Sequence, residues 1–130
     1  EHDERRAARA IALAWTDLET GPLGGLLDER ARYESPAVGM MLEGRREVLA
    51  YLERKMRLIE MAGEDARIET RLVRVDRAGG VRWAVLSSQG GLARAAVFLP
   101  SVDDTGAIVS IEVVTDAEVL RSADPGEAPS

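Results

Sequence analysis

Hydrophobic positions recur every three or four residues through the first half of the chain and every second residue through the second half. That change of period near Gly63 predicts helices first and strands afterwards. Residues 4–19 put Ala7, Ile11, Trp15 and Leu18 on one helical face, and Gly21-Pro22 ends the run. Pro22 suits the first turn of a second, short helix over 22–29 carrying Leu23, Leu26 and Leu27, with Gly24-Gly25 weakening it. Residues 32–35 read as a short strand stopped by Pro36, and 37–43 as a loop or short strand with deformable bulk from Met40 and Met41. A third helix is expected over 45–62, with Gly44 as its N-cap and Gly63 as its stop.

Strands are expected over 66–76, 81–89, 92–99 and 107–115. The links between them are short and rich in Gly and Asp, so consecutive strands must run antiparallel. In the last of them Val109, Ile111 and Val113 form an aliphatic row, and Ile108, Ser110, Glu112 and Val114 a mixed one. Asp116 can cap a brief helix through Leu120, and residues 122–130 form a mobile polar tail. The reading is an α+β fold in a single domain, residues 1–121. Three N-terminal helices pack in the concave face of a curved antiparallel sheet, a cone with one open end.

Charge narrows the partners. A formal charge of −6 and the lack of a basic run interleaved with aromatics exclude nucleic acid as a main partner. No cysteine is present and His2 is the only histidine, so no metal site and no cofactor are expected. No run approaches the roughly 18 apolar residues that cross a bilayer, and the expected location is cytoplasmic.

Lys55 stands out next, as the one lysine among seventeen basic residues. Helical period sets it beside Val48, Leu52 and Ile59 on the apolar side of the third helix, flanked by Tyr51, Met56 and Ala62. An ammonium there is costly unless it is paired or faces a wet cavity. It is therefore the first candidate for chemistry, and the sequence points to a pocket-bearing domain.

The run Tyr33-Glu34-Ser35-Pro36-Ala37-Val38-Gly39, followed by Leu42-Glu43-Gly44-Arg45 and a helix, resembles the nuclear-transport-factor-2-like superfamily. Its members share a cystatin-like cone and include ketosteroid isomerases and polyketide cyclases. The resemblance implies that Trp83, Val85, Phe98, Ile111 and Val113 face the cone interior, with Tyr51, Leu52 and Lys55 brought there from the third helix. Trp15, Tyr33, Ser35 and Met56 complete the candidate lining. Where ketosteroid isomerases carry their catalytic aspartate this chain has Ser35, and near their second acid it has Phe98, which counts against steroid-isomerase chemistry.

The reading is a cone that binds a small, largely apolar organic ligand, with Lys55 as polar anchor. One alternative is a lyase, isomerase or cyclase acting on a small carbonyl compound, with Lys55 as catalytic base or imine-forming amine. Another is an assembly module, a homodimer joined through the outer sheet face at Ile108, Glu112 and Val114, with a vestigial pocket. The family analogy favours a homodimer.

Overall fold

The computed structural model describes residues 2–63, 66–77, 80–88 and 95–115. Helix α1 spans His2–Asp17 and a one-turn helix α2 spans Gly21–Gly24. Strand β1 (Leu27–Ser35), a 3-10 turn (Pro36–Val38) and strand β2 (Met40–Glu43) lead into helix α3 (Arg45–Ala62). Four strands follow: β3 (Glu69–Arg77), β4 (Gly80–Ser88), β5 (Ala95–Val102) and β6 (Ile108–Val114). The expected terminal helix at 116–120 and the tail at 122–130 lie outside the described residues.

The six strands form one sheet in the order β2-β1-β6-β5-β4-β3. All consecutive pairs are antiparallel, as the short links require, but β1 and β6 run parallel. The expected antiparallel sheet is therefore mixed. These two strands are far apart in sequence, so no hairpin dictates their direction. Helix α1 packs on β3, β4 and β5, and α3 on β1 and β2.

The second helix is shorter than its leucine spacing suggests. Gly24 and Gly25 stop it, and Leu27, expected to be helical, opens β1 opposite Ile108. Strand β1 thus begins five residues before the expected Arg32. Further on, Gly44 has φ 104, a backbone conformation that glycine adopts at little cost, and its N–H donates to Ala31 O at 2.8 Å. That bond fixes the start of α3 against β1.

Two bodies of apolar side chains flank the sheet. The larger lies under the helices and includes Ile11, Trp15, Leu52, Leu72, Val85, Phe98 and Ile111. The smaller, on the opposite face, gathers Val73, Val75, Ala84, Val97, Leu99 and Val114. A register shift in the β5–β6 ladder, between Ser101 and Val102, leaves Val109 without an opposite residue. This bulge reverses the expected phase at its end of β6: Ile108 is fully buried in the larger core with Ile111 and Val113, while Val109 is not.

The smaller core forms because β4 leaves β5 halfway. The β3–β4 ladder runs from Glu69↔Ser88 to Arg77↔Gly80, but β4 pairs with β5 only from Val85 to Ser88. On β5 the vacated side begins near Pro100, which has no N–H to leave unpaired. The Arg82 guanidinium donates to Pro100 O and to Ser101 Oγ, bridging the gap. The free end of the hairpin then curls over the outer face. Arg77 at its tip reaches Glu112 on β6 at 3.2 Å, and Val73 and Val75 are covered completely.

Candidate functional site

The larger core does not fill the space beneath the helices. At one end it opens into a cavity of about 620 Å³, a volume typical of small-molecule sites. Trp15 of α1, Ala96 and Phe98 of β5 and Val113 of β6 form its inner wall. Tyr33 and Ser35 of β1, Val38 and Met40 bound one side, and Ala66 and Ile68 the approach to β3. Tyr51, Lys55, Leu58, Ile59 and Ala62 of α3 complete it toward solvent.

The inner wall is aromatic. Trp15 and Phe98 stack with centroids 5.7 Å apart and planes inclined by 23°. Tyr33 and Tyr51 meet at 5.4 Å in a tilted pair. Tyr33 is 4% exposed, and its burial, helped by the nearby Tyr51, pushes its hydroxyl pKa well above the ordinary tyrosine value. It therefore stays an O–H donor across the physiological range. Ser35 is also buried.

Lys55 lies on the cavity wall but is exposed, contrary to the expectation of an ammonium sunk among apolar groups. The buried stripe of α3 is Val48, Leu52 and Met56. Three residues on from Leu52, Lys55 is turned about 60° away, onto a neighbouring stripe with Tyr51, Leu58 and Ala62. Its methylenes follow the mouth and its Nζ rests 5.8 Å from the centre of the Tyr51 ring.

Of the other residues singled out from sequence, Trp15, Tyr33, Ser35, Tyr51, Phe98 and Val113 line this cavity together. Leu52, Met56, Val85 and Ile111 do not; they pack within the larger core, where their volume supports the wall from behind. Trp83 is buried elsewhere, clasped between Arg74, 4.6 Å from its ring centre, and Arg5, at 5.3 Å. The neighbouring Glu4 accepts from Trp83 N at 2.7 Å and pairs with Arg82 at 3.5 Å. Ser87, farther along β4, gives its hydroxyl proton to Ala96 O within the sheet. Sequence reasoning passed over Leu58 as a wall residue. The spacing Tyr51, Lys55, Leu58, Ala62 carries that signal, since it repeats the helical period one position away from the buried stripe.

Among the described residues, no three His, Cys, Asp or Glu side chains converge as metal ligands, and no helix is long and apolar enough to cross a membrane.

No protein-family model matches the chain, and no curated protein sequence does. Solved structures match through shape. A SnoaL-like protein of unknown function from Burkholderia thailandensis superposes with a TM-score of 0.64 at 14% identity, covering 87% of this chain and 93% of its own. An NTF2-like protein of unknown function from Burkholderia xenovorans gives 0.58 at 20% identity, covering 86% and 81%. A protein with a ketosteroid isomerase-like fold from Catenulispora acidiphila, in complex with trimethylamine, gives 0.53 at 20% identity over 87% and 88%.

Proposed function

On the nuclear-transport-factor-2-like fold that these neighbours share, we propose that this chain is a ligand-binding cone whose cavity takes a small, largely apolar organic molecule. One observation carries the reading: an open cavity of about 620 Å³ with an aromatic and aliphatic wall and a few polar groups, Tyr33, Ser35, Tyr51 and Lys55, grouped on β1 and α3. Such a surface releases water from the apolar wall when a ligand enters, and the polar groups set its orientation. Lys55 serves as a rim anchor rather than a buried charge.

The enzyme alternative has less support. Lys55 is exposed at the mouth rather than enclosed, and Ser35 and Phe98 occupy the wall where the isomerase resemblance would want acids. The assembly alternative also has less to work with. Val114 is packed into the smaller core of its own chain, and Glu112 is paired with Arg77. A homodimer through that face would have to form around side chains already engaged.

Titration with neutral 2-naphthylmethanol, followed by NMR, tests the cavity. Shifts should centre on the Trp15 indole and the Phe98 and Val113 amides. Ala62→Trp, a change at an exposed position on the rim, should block them with the fold intact. Shifts centred on Trp83, or binding that ignores Ala62→Trp, would place the ligand elsewhere and overturn the reading.

A further inference from the structure

Each polar side chain of the cavity, the Tyr33, Ser35 and Tyr51 hydroxyls and the Lys55 ammonium, can donate a hydrogen bond. Among the described residues its ionisable side chains are Tyr33, Tyr51 and Lys55, with no aspartate or glutamate. Glu34, next to the wall residues Tyr33 and Ser35, is turned toward Arg32 at 3.8 Å. Among the described residues Lys55 makes no ion pair, and its ammonium faces only the Tyr51 ring. Three residues that carry donors run from the buried Tyr33 through the half-buried Tyr51 to the exposed Lys55, with the tyrosine ring centres 5.4 Å apart and Lys55 Nζ 5.8 Å from the Tyr51 ring centre. The deeper wall, with Trp15 stacked on Phe98, offers flat apolar surface and no charge.

Resting on the cavity reading above, we propose that the ligand is an organic acid: a flat ring body against Trp15 and Phe98, with its carboxylate at the mouth beside Lys55. A carboxylate supplies the acceptors that the donors lack and the negative charge that the ammonium lacks. An amine of the same shape brings a positive charge to a site whose described residues include an ammonium and no carboxylate. Because Lys55 is exposed, the preference is modest and weakened by salt.

The test compares three probes of one ring system, 2-naphthoate, 2-naphthylmethanol and 2-naphthylmethylammonium, each titrated into the full chain at neutral pH. Naphthoate should bind about fivefold tighter than the alcohol, the scale of a favourable exposed ion pair, and the ammonium should bind more weakly than both. High salt should narrow the gap. Lys55→Met should bring naphthoate down to the level of the alcohol and leave the alcohol within about twofold, whereas Lys55→Arg should retain the order. Equal affinities, a reversed order, or an acid preference that survives Lys55→Met would overturn the proposal while leaving the cavity reading standing. Failure of all three probes to bind would remove both.

Discussion

Two aromatic side chains in this molecule lie beneath cations, and the two places behave differently. Trp83 is clasped by two guanidiniums, from α1 and β3, and its backbone N–H is taken by Glu4. Tyr51 has one ammonium near its ring, from its own helix, and both residues line an open cavity. At the first place, cations from separate elements close the structure over the ring. At the second, the cation and the ring share one helix, so their contact ties nothing together and leaves the mouth free. The difference lies in which elements the partners come from.

That contrast can be broken in graded steps. Trp83→Ala should have the largest effect, a loss of about 3–5 kcal/mol in denaturant unfolding, because a buried indole and its packing are lost together. Glu4→Ala should cost about 1–3 kcal/mol by leaving the Trp83 N–H without its acceptor, and Glu4→Gln should restore much of this by keeping an oxygen there. Tyr33 supplies a pH-dependent test. Its folded pKa is raised by burial, so the folded state holds its proton more tightly than the unfolded chain does. The stability this gives is complete below the ordinary tyrosine pKa of about 10 and is lost as pH rises above it. Urea midpoints should therefore fall with increasing alkalinity, and Tyr33→Phe should flatten that fall. Lys55→Met should be the smallest change, within about 0.5 kcal/mol of the parent. A large loss there would mean that the mouth, too, is held shut by its cation.

The parts of the fold legible in the sequence are those set by local chemistry. Helix α3 runs between Gly44 and Gly63 as its flanking glycines require, and the β3–β4 ladder ends at the pair Arg77↔Gly80. The parts that were not legible depend on distant partners. Residues 27–31 (Leu-Asp-Glu-Arg-Ala) carry no strand pattern; the strand is pinned at Leu27 by Ile108 of β6 and regains a β6 partner only at Arg32, after a register shift. The Val109 bulge leaves no mark in the alternation of β6, so the pattern puts Val109 in one row with Ile111 and Val113. The resemblance implies an inward-facing Trp83, and Trp83 packs in the larger core, but a face does not fix the distance from the mouth. For Lys55, helical period reached the right side of α3 and missed by one stripe. That error separates a buried charge from a rim charge.

The departure of β4 from β5 has a consequence for the slowest motions of the chain. At Val97 and Phe98, β5 is paired with a strand on both edges and has an apolar layer on each face. Its amide protons there should be the last to exchange with deuterated solvent, and only through global unfolding. From Leu99 onward one edge is held by an arginine instead of a strand, so exchange there should proceed through a local opening that spares the rest of the sheet.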